Sequence, residues 1–202
     1  GSSLLALGLM VVFANFLSKE TFGTYRYLIS IAGLLNILTL TGMSQAVAQA
    51  VAVGREGVLR PVVRYQIQWN VVLMILALPI AGYYAWSGNV VVAAGVLVLS
   101  LCVPLTNAFN TYGAFLSGKR EFRLNNLFSV ASTFMYTLGM IVAIYFGGHV
   151  VFLVIAYATT TLASNVLFYV LTIRKFKPGI GEAGDTLTYG RRLTYINLLE
   201  PV

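Results

Sequence analysis

From Tyr27 to Gly54 the chain carries no charged side chain. The run opens with the apolar stretch Leu28 to Leu40 and passes through Thr41-Gly42-Met43-Ser44-Gln45. It ends in small residues, Ala46 to Ala52. About 20 apolar residues suffice for a helix to cross a bilayer, and buried helices of soluble domains rarely stay this apolar for so long. The run predicts a transmembrane helix over about 24–53, tilted or reaching past the hydrocarbon at one end.

The rest of the chain repeats the theme. Further apolar runs predict helices over about 1–17, 62–86, 90–116, 127–146 and 150–173. The first is short for a full span and is expected to be the later part of a first helix. Gly54-Arg55-Glu56-Gly57, Ser87-Gly88-Asn89, the basic loop 117–126 and Gly147-Gly148-His149 are the turns. Pro79 and Pro104 fall inside two of the runs and are expected to interrupt them, freeing the carbonyls of Ile75 and Ser100. A polar stretch, 174–188, reads as a linker, and 189–202 as the start of a seventh helix. The expected fold is all-α, a polytopic membrane bundle.

Only 9% of the residues are charged, against about 25% in soluble domains. The net charge of +7 is therefore topological rather than a nucleic-acid footprint, and no nucleic acid is expected as a partner. Arg55, Arg60, Arg64, Lys119, Arg120, Arg123, Arg174, Lys175, Lys177, Arg191 and Arg192 fall at one set of turns, and only Lys19 and Arg26 at the other. Short cytoplasmic loops retain Lys and Arg. The expected location is the cytoplasmic (inner) membrane, multi-pass, with the amino terminus in the cytoplasm and the lipid bilayer as the first partner.

Hydrolytic chemistry finds no residue set. Glu20, Glu56, Glu121, Glu182, Asp185 and Glu200 all fall in turns or near the end of the chain, and Cys102 and His149 each stand alone. Neither an enzyme nor a cofactor or metal site is expected.

The polar residues inside the apolar runs are the candidate site. Asn107, Asn110 and Thr111 follow Pro104 on one helical face, where they either line a cavity, as in broken transporter helices, or bond to neighbouring helices. Asn36 and Asn165 sit near the middle of their runs, and Tyr157 and Thr161 share a stripe with Asn165. Interhelical bonding is the alternative for each. Gln45 with Gln49, and Arg64 with Gln68, are pairs one turn apart near the cytoplasmic face, a candidate gate; Arg64 could equally snorkel to headgroups. Arg26 runs against the positive-inside trend. It either snorkels outward or meets an anionic substrate group such as a phosphate.

Four stretches together resemble the polysaccharide and O-antigen flippases of the multidrug/oligosaccharidyl-lipid/polysaccharide exporter superfamily. Leu17-Ser18-Lys19-Glu20-Thr21-Phe22-Gly23-Thr24-Tyr25 is similar to its "L-x-x-E-x-[YF]-G-x-Y" turn, and Leu40-Thr41-Gly42-Met43-Ser44-Gln45-Ala46 to its "L-G-[LM]-x-x-A". Ala114 to Phe122 is similar to "x-x-L-x-[GA]-x-x-[RK]-F". Leu187-Thr188-Tyr189-Gly190-Arg191-Arg192-Leu193 is similar to "L-x-[YF]-G-x-P-L", with Arg192 in place of the proline. The resemblance implies two pseudosymmetric bundles around a central cavity, of which this chain would be the amino-terminal, six-helix one. It implies rocking between inward-open and outward-open states. The implied substrate is an oligosaccharide on a polyprenyl diphosphate, with other polysaccharide-assembly proteins as partners. Relatives that flip a peptidoglycan precursor have arginines in the cytoplasmic half of helix two, and Asn36 to Gly42 has none. Two alternatives stand beside this one. A cation-coupled drug antiporter of the same superfamily usually needs a membrane carboxylate, which this stretch lacks. A purely structural membrane protein would need no polar residues in proline-bearing helices.

Overall fold

A computed structural model describes residues 17–37, 39–40, 42–179, 181 and 183–199, with Ile37 and 197–199 described by their backbone alone. Among the described residues the regular structure is helical throughout. The order is α1 (Lys19–Ile37), α2 (Gly42–Ala52), a 3-10 turn (Glu56–Val58), α3 (Leu59–Trp86), α4 (Val90–Gly118), α5 (Phe122–Tyr145), α6 (Val150–Phe176) and α7 (Gly184–Leu199). The helix expected over 1–17 lies outside the described residues except for Leu17.

The four helices α3 to α6 are long and apolar enough to cross a membrane. At 1.5 Å per residue they extend about 36–44 Å, more than the hydrocarbon core of a bilayer requires. The side chains they turn outward suit lipid: Val71, Val72, Ile75, Leu76, Leu78 and Ile80 of α3 are all exposed.

Several helix ends differ from the sequence reading, each for a local reason. Helix α1 starts at Lys19 rather than 24, because the Ser18 hydroxyl accepts from the backbone N–H of Thr21 at 3.2 Å and caps the first turn. Helix α6 runs on to Phe176, its last turn holding Arg174 and Lys175 against the negative helix end. Helix α7 begins at Gly184 with Asp185 in its first turn. Together these shorten the linker expected over 174–188 to 177–183. Helix α5 starts at Phe122 rather than 127.

The tight turns rest on backbone freedom. Gly88, at φ +78°, reverses the chain between α3 and α4. The Asn89 side chain then accepts from the backbone N–H of Val92 at 3.4 Å.

Helix α4 is the axis of the bundle, in contact with α1, α2, α3, α5 and α6. Two cores stack along it. At the basic end, Met43, Val47, Leu59, Val62, Phe115 and Leu116 pack with an aromatic group. In that group the Phe128 and Phe168 rings stack at 4.5 Å, with Tyr112 edge-on to both. At the other end Leu28, Ala32, Val92, Val96, Leu99, Met140 and Leu153 form an aliphatic core.

Two expectations about helix continuity are overturned. The helix expected unbroken over 24–53 is two helices, with Thr39 and Leu40 non-helical between them. Pro79 and Pro104, expected to interrupt their helices, lie inside α3 and α4, which run through them. The cause of the first difference is tertiary and forms part of the site.

Candidate functional site

The site begins at the gap between α1 and α2. Thr39 turns back on α1, its hydroxyl donating to the Asn36 carbonyl at 2.6 Å and its N–H to the same oxygen at 3.1 Å. The Leu40 carbonyl accepts from the Met43 N–H at 3.1 Å and from the buried Gln66 amide of α3 at 3.5 Å. Gln66 also accepts from the Thr111 hydroxyl of α4 at 2.9 Å. The N–H of Gly42, first residue of α2, donates to the Thr194 hydroxyl of α7 at 3.2 Å. The chain can leave the helix here because α3 and α7 take up freed backbone groups, while α4 bonds to the side chains beside them. The approach of α7 requires glycine: a Cβ at Gly42 would lie 2.5 Å from the Thr194 nitrogen and 2.6 Å from the Gly190 oxygen.

Beside this gap, the Asn107 amide donates to Asn36 Oδ1 at 2.8 Å and to Thr39 Oγ1 at 3.4 Å. Asn36 and Asn107 line a cleft of about 170 Å³ with Ile29, Ala32, Gly33, Val103, Thr106, Tyr157 and Thr161. Towards the basic end lies a second cleft of about 520 Å³. Its walls are Ser44 of α2, Asn110, Tyr112, Gly113, Ala114 and Ser117 of α4, Asn125, Asn126, Ser129, Ser132 and Thr133 of α5, and Asn165 of α6.

The two clefts follow the same pair of helix faces. On α4 the lining residues Thr106, Asn110, Gly113 and Ser117 fall at helical spacing, and on α6 so do Tyr157, Thr161 and Asn165. The Asn165 amide donates to the Thr161 carbonyl at 2.8 Å, joining the two levels. From Val103 to Ser117 the face extends about 21 Å. Its lining side chains are uncharged, and most can form hydrogen bonds.

The expected site residues therefore separate. Asn36, Asn107, Asn110 and Asn165 lie on this face, split between two clefts, and Asn36 and Asn107 also bond to each other across helices. Arg26 lies on neither cleft. It is exposed on α1, with its guanidinium carbon 6.0 Å from the centre of the Phe22 ring. Gln45, Gln49, Arg64 and Gln68 are exposed on α2 and α3. Gln49 borders a separate hollow at the basic end with Arg55, Asp185 and Tyr189, where Arg55 and Asp185 approach to 3.7 Å. Nearby, Lys119 pairs with Glu56 at 2.7 Å.

The sequence reading missed the α5 wall of the larger cleft. Its signal was present as a stripe, Asn125, Ser129, Ser132 and Thr133, at helical spacing. Starting the helix at 127 cut that stripe at its first member. Also missed were Gln66 and Asn70, both buried. Asn70 donates to the Pro104 carbonyl at 2.7 Å.

A helical bundle with four membrane-length apolar helices and a polar face along its axis defines a multi-pass membrane protein. The model of the family described as "Polysaccharide biosynthesis protein" matches residues 1–194, and the chain belongs to that family. No curated protein and no solved structure matches it.

Proposed function

We propose that the chain forms one wall of an exporter that moves a polyprenyl-diphosphate-linked oligosaccharide across the cytoplasmic membrane by alternating access, without catalysing a covalent step. The supporting observation is the polar face along α4 and α6. Hydrogen-bonding groups turned towards lipid are costly, so such a face needs a polar occupant. The hydroxyls of a glycan both donate and accept, as do the carboxamides and hydroxyls along the two clefts.

In this reading the basic end faces the cytoplasm, following the retention of Lys and Arg there, and the amino terminus is cytoplasmic. Gln45, Gln49, Arg64 and Gln68 then belong to the side from which substrate enters. The partners are the bilayer, the lipid-linked glycan and other proteins of polysaccharide assembly.

The test is complementation of a strain lacking the intact transporter. The double variant Asn110→Ala/Asn165→Ala, at normal protein level, should lower surface polysaccharide at least tenfold while lipid-linked repeat units accumulate in the membrane. Normal surface polysaccharide from that variant would refute the reading.

A further inference from the structure

We infer that the polar face selects an uncharged glycan over an acidic one, an inference that rests on the transport reading above and adds a specificity to it. The reason lies in what its uncharged lining can offer an anion. The Thr106 hydroxyl donates to the Cys102 carbonyl at 2.8 Å, Thr133 to the Ser129 carbonyl at 3.0 Å, and Thr161 to the Tyr157 carbonyl at 2.6 Å. A hydroxyl has one proton and two lone pairs. These three threonines have spent their proton inside their own helices, so they offer the clefts only acceptor lone pairs.

The carboxamides are committed only in part. Asn165 commits an amide proton to the Thr161 carbonyl at 2.8 Å, and Asn107 commits one to Asn36 at 2.8 Å. Asn125 donates to the Ser117 hydroxyl at 3.3 Å. Asn36, Asn110 and Asn126 keep amide protons and Ser44, Ser117 and Ser129 keep hydroxyl protons, so both clefts still donate as well as accept, but neither has a lysine, arginine or histidine in its lining.

A sugar hydroxyl or N-acetyl N–H brings protons to such a wall and is well matched. A carboxylate is acceptor-only. Against this face it would lose water and gain no cation, and an unpaired buried charge is heavily penalised. The wall thus discriminates by the mismatch it imposes on the wrong ligand as well as by the bonds it makes to the right one.

The experiment uses the intact protein in nanodiscs with three probes: farnesyl diphosphate, the same lipid carrying a glucosyl-glucose disaccharide, and the same lipid carrying glucuronosyl-glucose. Their dissociation constants are measured for the wild type and for Ser129→Arg. Ser129 lines the larger cleft and is exposed, so an arginine there places a cation on the face without displacing a buried group. The neutral glycolipid should bind at least tenfold more tightly than the acidic one, and Ser129→Arg should reduce that ratio at least tenfold. Equal or tighter binding of the acidic glycolipid by the wild type would overturn the inference. So would a ratio that Ser129→Arg leaves unmoved, because the selectivity would then arise elsewhere. If neither disaccharide improves on farnesyl diphosphate, the glycan reading itself fails.

Discussion

Two places in this bundle invite a helix to break, and they behave in opposite ways. At Pro104 the sequence contains the strongest helix-breaking residue, yet α4 continues from Val90 to Gly118. At Thr39-Leu40 there is no proline, yet α1 ends and α2 begins anew. Proline removes one N–H and crowds one carbonyl, and a membrane helix tolerates that where neighbours restore the bonding. Asn70 donates to the carbonyl of Pro104 itself and so ties α3 to α4 at this point, a bond separate from the Ser100 carbonyl that the proline frees. At the gap, Gln66, Thr194 and Asn107 hold the chain away from helical geometry, bonding to Leu40, Gly42 and Thr39 respectively. The residue type at the break point does not decide whether a helix continues here; at the gap the bonds offered by neighbouring helices do.

The most severe way to break the comparison is Gly42→Leu. A Cβ there would lie 2.5–2.8 Å from α7 backbone and side-chain atoms, so α7 must move away and the Gly42 N–H loses Thr194. Overpacking of this kind costs about 3 kcal/mol or more where rigid backbone is the obstacle. Thermal unfolding in detergent should show a large drop in midpoint or a loss of monodisperse protein. An unchanged midpoint would mean that α7 does not hold the gap.

Gln66→Leu should have a smaller effect. It keeps the side-chain volume roughly constant and removes the partner of the buried Thr111 hydroxyl and one partner of Leu40. Leaving buried polar groups unsatisfied costs about 1–3 kcal/mol. The same unfolding assay should rank it between Gly42→Leu and the proline variant.

Pro104→Ala should have the least effect, below about 1 kcal/mol, because α4 already follows a helical path and single interhelical bonds in membranes are worth about 0.6 kcal/mol on average. The effect should be the same in the Asn70→Ala background, because Asn70 bonds the carbonyl of residue 104, which is present whichever residue stands there. A Pro104→Ala loss as large as that of Gln66→Leu would overturn the contrast between the two places.

The candidate site was legible in part for the same reason. Asn36, Asn107, Asn110 and Asn165 stand out in the sequence because carboxamides are conspicuous in apolar runs. The hydroxyl-bearing α5 stripe was harder to see. Ser and Thr are common in membrane helices, where their protons can bond back to the preceding turn, as Thr133 and Thr137 do. Nothing in the sequence shows that Asn36 and Asn107 meet each other, or that Arg26 lies away from both clefts. Those are relations between helices, and spacing along one helix does not contain them.

What the sequence alone determined is whatever depends on solvent and local geometry. Apolar runs of membrane length specify α3 to α6. Gly88 and Asn89 specify the turn between α3 and α4, and the sorting of Lys and Arg marks one end of the bundle. What only the tertiary structure decided is where the backbone leaves the helix and what its polar groups then meet. The Thr39-Leu40 stretch, with Gly42 just beyond it, is a weaker helix former than its flanks, which permits a break without requiring one. It opens because α3, α4 and α7 converge there with Gln66, Asn107 and Thr194, and in an apolar medium a freed backbone group is stable only where such partners converge.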